Sequence, residues 1–312
     1  MMLFGKKYCF HILLMVGLVL PQVQAFGQNK ADSLFVDDSR YAVGLEEKIL
    51  QAASANKGKT IVQFQQENKG LKDDAPVSWQ QKEVRKVDVL SVKELYATKK
   101  QAVLILGRLN HANPELAPLA EPLATAFVIS PDGLCVSNHH VLSELIHMRK
   151  TEGKDAGKVD SSMYYLQDYN GEVYTIDKIL AYSASNDVVL FTLHRPGKPM
   201  PYLDLGAPLA VGDEVFVIAH PEQNYYFLTS GLVAKNRKLV NPANPKQRQY
   251  RMTITADYAV GSSGGPVLNN RGQVVGIVSS TSNIYGSRVE KTPLQMVLKN
   301  GIAVLAIHEL LN

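Results

Sequence analysis

Residues 125–138, Thr125-Ala126-Phe127-Val128-Ile129-Ser130-Pro131-Asp132-Gly133-Leu134-Cys135-Val136-Ser137-Asn138, set two short apolar runs on either side of a Pro-Asp-Gly turn. Proline pre-sets the first turn dihedral and glycine supplies the positive one, so the stretch reads as a β-hairpin. The pattern recurs downstream, where runs at 163–166 and 172–176 flank Asp168-Tyr169-Asn170-Gly171. Further short strands are predicted at 179–182, 188–193, 214–219, 227–234, 249–255, 267–268, 273–279 and 287–290. Many short strands at close spacing predict an all-β barrel or sandwich rather than alternating β and α units.

Upstream, residues 31–56 place Tyr41, Leu45, Ile49 and Ala52-Ala53 at amphipathic helical spacing. Residues 57–86 are polar, with Trp79 and no clear period, and read as a linker or small appended segment. A short helix over 91–99 leads into a strand over 101–109. At the other end, Thr292-Pro293 predicts a helix start as N-cap and first helical residue, Asn300-Gly301 a stop, and residues 302–311 a final apolar segment. The charged stretch 149–160 reads as a solvated loop, and no internal repeat is visible.

The chain has 312 residues, 46% hydrophobic and 20% charged, which is ordinary globular composition with ample length to bury a core. Lys6 and Lys7 precede an apolar run over 12–20, then Pro21 and Val23-Gln24-Ala25, the pattern of a secretory leader cleaved after Ala25; the alternative is an uncleaved N-terminal anchor. Removing the leader takes two lysines from the formal charge of +4 and leaves +2. So weak a field argues against a nucleic-acid partner, and membrane contact is expected only through an uncleaved leader. Cys9 lies in the leader and Cys135 is the other cysteine, so the mature chain can form no internal disulfide. An exported protein without disulfides fits a bacterial periplasm or secreted fraction. Cys135, in an alternating apolar segment, reads as a small buried hydrophobe.

Chemistry enters at Gly261-Ser262-Ser263-Gly264-Gly265-Pro266, a glycine-lined turn between two predicted strands. Glycine lets backbone N–H groups turn inward unobstructed, as an oxyanion hole requires. A serine there becomes a nucleophile only if a base takes its proton and an acid fixes that base's tautomer. His140 follows the strand over 134–138, and Asp187 immediately precedes the apolar run 188–191. The order His140, Asp187, Ser263 is that of chymotrypsin-type enzymes. No cofactor is needed for such chemistry. His139, His140 and His147 lack acidic or cysteine partners at ligand spacing, so no metal is expected.

Four ordered stretches, 125–133, 137–141, 186–190 and 261–266, together resemble the successive signatures of trypsin-like serine proteases, and the bacterial HtrA/Deg branch most closely. The likeness extends in order over about residues 91–290. The resemblance implies two packed antiparallel β-barrels with the site in the cleft between them, a partly helical N-terminal extension and a short C-terminal helix. It divides the chain into a leader, 1–25, an extension, 26–90, and a protease domain, 91–312. It implies His140 as base, since His140 immediately precedes the valine of the Asn-x-His-Val pattern, Asp187 as acid and Ser263 as nucleophile. Gly261 and Ser263, helped by Ser262, would present the oxyanion-hole N–H groups. Val278, Ser279, Ser280 and Thr281 would pair with substrate main chain by β-augmentation. Asp257, six residues before Ser263, occupies the place of the acidic pocket base in trypsin; the alternative is a structural loop aspartate. Ala126 departs from the branch's usual glycine, no PDZ-like segment follows the last motif, and residues 31–86 match nothing in the branch. The implied activity is an exported serine endopeptidase acting on proteins or peptides. A binding scaffold on the same fold, and an esterase, are the alternatives.

Overall fold

The computed structural model describes residues 35–56, 58–79, 88–111, 113, 115–147, 161–194, 197–287 and 289–311. The expected leader and the loop 149–160 lie outside them. The chain divides into two compact units, Met1–Val43 and Gly44–Asn312. In the first, Asp37 caps a 3-10 turn over Asp38–Tyr41, its carboxylate accepting the Ser39 N–H at 3.0 Å.

The second unit holds twelve strands among the described residues. Strands β1 (Val103–Asn110), β2 (Leu119–Val128), β3 (Leu134–Ser137), β4 (Met163–Gln167), β5 (Val173–Ser183) and β6 (Val188–Leu193) close into a barrel in the order β1-β2-β3-β6-β5-β4. Strands β7 (Glu214–Ala219), β8 (Phe227–Asn241), β9 (Asn244–Ile254), β10 (Pro266–Leu268), β11 (Val274–Ser287) and β12 (Thr292–Ala303) close a second barrel in the order β10-β11-β12-β9-β8-β7. The second connectivity repeats the first, strand for strand, and the pairings are antiparallel. The all-β, two-barrel architecture is therefore as expected.

Each barrel is filled by its inward side chains. Leu104, Leu106, Val128, Leu166, Val189 and Phe191 lie in the first core, and Val215, Val217, Val233, Ile254, Val267 and Val275 in the second. Cys135 is fully buried in the first core, where loss of solvation pushes its thiol pKa far up, so it is the inert small hydrophobe expected.

Short helices surround the barrels: α1 (Leu45–Asn56), α2 (Ile61–Glu67), α3 (Val92–Lys99), α4 (His139–Leu142) and α5 (Leu305–Leu310). Helix α2 lies within residues 57–86, read as a linker or small appended segment, and makes that part of the N-terminal extension helical. Thr60 and Gln63 form a reciprocal capping box, and Ile61 and Phe64, one turn apart, bury into the first core. Of the three apolar residues in this short helix, Ile61, Val62 and Phe64, two are buried and Val62 is exposed, so no period marks the docking face in the sequence. A second correction concerns residues 292–300, which form β12 and not a helix. Leu294, Met296 and Leu298 alternate, and β12 pairs with β11 through Ser282↔Leu298 and Ile284↔Met296 and with β9 through Lys299↔Ile254. A helix there would leave the edges of β9 and β11 that face β12 without main-chain partners. The strand expected over 287–290 is likewise a turn at its described end, Val289 and Glu290. The C-terminal helix starts later, at Leu305. No helix among the described residues is long and apolar enough to cross a membrane.

Candidate active site

Three segments meet where the barrels face each other. Helix α4 opens at the end of β3 and carries His140; the turn between β5 and β6 carries Asp187; the loop between β9 and β10 carries Ser263. Asp187 has φ +59°, a left-handed conformation that aspartate tolerates better than most side chains. The turn is held from both barrels. Asn138 Nδ2 donates to Asp187 O at 3.0 Å, Arg251 donates to the carbonyls of Ser185 at 2.7 Å and Asn186 at 3.2 Å, and Asn186 Nδ2 donates to Arg248 O at 2.9 Å.

The Asp187 carboxylate meets His140 twice. Its Oδ1 accepts the His140 backbone N–H at 2.9 Å, and His140 Nδ1 lies 3.0 and 2.9 Å from Oδ1 and Oδ2. This geometry holds a proton on Nδ1 and turns Nε2 outward as acceptor. Ser279 adds a third bond, its Oγ donating to Asp187 Oδ2 at 2.9 Å. Burial pushes the Asp187 pKa up, but the hydrogen bonds it accepts from His140 and Ser279 hold the carboxyl below its ordinary value. The acid therefore stays ionised beside a half-exposed imidazole.

Ser263 lies next to this assembly. Its main-chain carbonyl accepts the Thr125 N–H at 2.9 Å, which ties the serine loop to β2 of the first barrel. Its Oγ donates to Ser279 O at 3.4 Å, and no hydrogen bond among the described residues joins that Oγ to the His140 ring. Ser279 therefore stands between the two halves of the site: its side chain binds the carboxylate and its carbonyl binds the serine. Sequence reasoning places Ser279 only along the substrate strand, because no local pattern reveals a partner 92 positions away.

The glycines around Ser263 are required by close contact. Gly261 has φ +90°, and a Cβ there would lie 2.4 Å from His220 O; Gly264 has φ +82°, and a Cβ would lie 2.2 Å from Thr125 O. The Val260 carbonyl turns away to accept the Glu222 N–H at 2.8 Å. The N–H groups of Gly261 and Ser263 have no main-chain acceptor among the described residues. Ser262 differs: its N–H donates to Ala259 O at 3.1 Å and its side chain is fully buried. The Ser262 donor, expected to help in an oxyanion hole, is in this structure engaged within the turn.

Val278 is locked into the barrel, its N–H donating to Gly265 O and its O accepting from Gly264. The register of β11 against β12 shifts between Val278 and Ser280, so the pleat breaks at Ser279 beside the serine. Ser280 O accepts from Tyr258 Oη at 3.1 Å, and Thr281 pairs with Lys299. Asp257 is exposed and bonded to Lys299, Nζ to Oδ1 2.6 Å. His139 stacks on Tyr182 at 5.1 Å, with His147 edge-on to both rings.

A family model described as a trypsin-like peptidase domain matches residues 124–277. A curated protein of Chlamydia trachomatis serovar D, named "Probable periplasmic serine endoprotease DegP-like", is 30% identical over 168 residues, covering 52% of this chain and 29% of that protein. "Protease Do-like 5, chloroplastic" of Arabidopsis thaliana is 26% identical over 170 residues, covering 54% of this chain and 50% of that one. The chain thus spans half or less of the length of these curated relatives. Among solved structures, "HtrA-type protease AlgW with decapeptide" superposes with a TM-score of 0.52 at 16% sequence identity, over 71% of this chain and 66% of that one. Similarity at that identity is one of fold.

Proposed function

Because this chain carries a trypsin-like peptidase domain, we propose that it is an exported serine endopeptidase that cleaves proteins or peptides through an acyl-enzyme on Ser263. In this reading Ser263 Oγ attacks the scissile carbonyl while His140 Nε2 removes its proton. Asp187 keeps the other imidazole proton on Nδ1 and stabilises the imidazolium as it forms. The N–H groups of Gly261 and Ser263 receive the developing oxyanion, and His140 returns its proton to the leaving amine. Water then repeats the sequence on the acyl-enzyme.

Substrate main chain pairs along Ser279, Ser280 and Thr281. A substrate N–H bonded to Ser279 O competes with the Ser263 hydroxyl for that acceptor and frees the hydroxyl to turn to the imidazole. Export rests on the leader pattern of residues 1–25 and on the word periplasmic in the names of similar proteins. The peptide substrate class is supported by AlgW, a protease of similar fold whose structure was solved with a decapeptide.

The observation that carries this reading is the bond of His140 Nδ1 to a partly buried, ionised carboxylate that Ser279 links to the serine loop. The serine's bond to Ser279 O in place of the imidazole favours one second reading, a scaffold that holds peptides with little or no turnover. Fluorophosphonate labelling separates the two. The enzyme is labelled at Ser263 and loses both the label and casein cleavage on Ser263→Ala. Folded protein that takes no label would support the scaffold.

A further inference from the structure

Two charged residues lie beside the site that the proposed mechanism does not use. Asp257 begins the loop that ends at Ser263, and Lys299 lies on β12 opposite Thr281 of the proposed substrate strand. Lys299 Nζ lies 2.6 Å from Asp257 Oδ1, donates to Tyr258 O at 2.5 Å and stands 5.3 Å from the centre of the Tyr258 ring. The lysine side chain is only 15% exposed, although the aspartate is 79% exposed. Tyr258 Oη reaches the other wall at Ser280 O, so the ammonium is wedged between the serine loop and the strand.

A peptide paired along Ser279–Thr281 with its carbonyl at Ser263 must place the side chain of its acyl residue between these same two walls. The first fixed charges it meets there are Asp257 and Lys299, already paired. An arginine or lysine would have to displace the Lys299 ammonium, and a glutamate the Asp257 carboxylate, each leaving a displaced charge without its partner.

We infer that Lys299 determines specificity: by neutralising Asp257 it makes the site select an uncharged residue on the acyl side of the cleaved bond. The inference rests on the endopeptidase reading and deepens it. The pair acts as two opposed filters, so removing either member admits the charge it had excluded.

The test uses the mature protein and peptides that differ only at the acyl residue, carrying Leu, Arg or Glu. The wild type cleaves after Leu in preference to both charged residues. Lys299→Met, which keeps the length of the stem, raises kcat/KM for Arg relative to Leu by about tenfold or more, and Asp257→Asn does so for Glu. Asp257 is exposed, so the second variant keeps the test open even if the first folds poorly. Binding of the same peptides to Ser263→Ala protein, measured by calorimetry, reads the preference without turnover. Wild-type preference for Arg, or variants that keep the wild-type ranking in cleavage and binding, would overturn the inference. A wild type that cleaves nothing yet binds the Leu peptide best would instead count against the endopeptidase reading and leave the filter standing.

Discussion

Gly261 shows how narrow the tolerances are around the serine. At φ +90°, with His220 O 2.4 Å from where a Cβ would stand, alanine must shift the loop that aims the Gly261 N–H. Gly261→Ala is expected to lower kcat by about 10²–10³-fold, the scale of one lost oxyanion donor, while KM for a casein-derived peptide changes little. Unchanged kcat would remove Gly261 from the proposed oxyanion hole. Asp187 gives a second test. Its carboxylate fixes the Nδ1 proton of His140, so Asp187→Asn should favour the wrong tautomer and cost about 10³–10⁴-fold in kcat at pH 7 with the fold intact. Asp187 also has a depressed pKa in the folded state. Its stabilising contribution is therefore full above the unfolded carboxyl pKa and is lost as pH falls through the lower folded value. The triad residues can be nominated from the sequence because each stands in a short contiguous motif. The Ser279 bridge and the engaged Ser262 N–H cannot, since both depend on contacts between segments that only folding brings together.

Among the elements, α2 and β12 escape a reading of local pattern for opposite reasons. Helix α2 has a strong local signal at its cap but a docking face of only two residues. Thr60→Ala should cost about 1 kcal/mol by opening the capping box, whereas Phe64→Ala, which empties part of the first core, should cost about 3–5 kcal/mol in urea unfolding. Equal costs would show that α2 is held by its cap and not by its docking. For β12, Thr-Pro followed by a later Asn-Gly is sound helix punctuation, yet pairing on both sides with β9 and β11 overrides it. The hairpins are easier to read, because a Pro-Asp-Gly or Asp-Tyr-Asn-Gly turn acts locally and needs no partner element.

For the molecule as a whole, the seam between barrels is the feature on which the site depends. Tyr226 Oη donates to Gln167 O at 3.5 Å, Thr125 donates to Ser263 and Gly261, and Arg251 reaches the Asp187 turn. His220, 3% exposed, lies at this seam and accepts the Tyr226 N–H on Nδ1 at 3.0 Å. Burial pulls its pKa from 6.5 down to about 3. Between those values the unfolded chain binds a proton that the folded one refuses, so stability falls as pH falls, by about 1.4 kcal/mol per unit from this residue. The contribution is full above pH 6.5 and decreases toward pH 3. Chemical denaturation of wild type and His220→Gln from pH 7 to pH 4 should show the variant losing that part of the slope; parallel curves would mean that His220 is not buried neutral. The repeat of one six-strand connectivity in both barrels is likewise a property of the whole, and no residue pattern in the two halves betrays it.

By itself the sequence determines the short-strand texture, the hairpin turns at 131–133 and 168–171 and the candidate histidine, aspartate and serine, because turn chemistry and motif spacing act over a few residues. Folding alone dictates which strands close on which, that residues 57–86 include a docked helix, and that Lys299 of β12 meets Asp257 of the serine loop. Those contacts join residues tens of positions apart, and they form only when burial of the two cores offsets the entropy of bringing distant segments together.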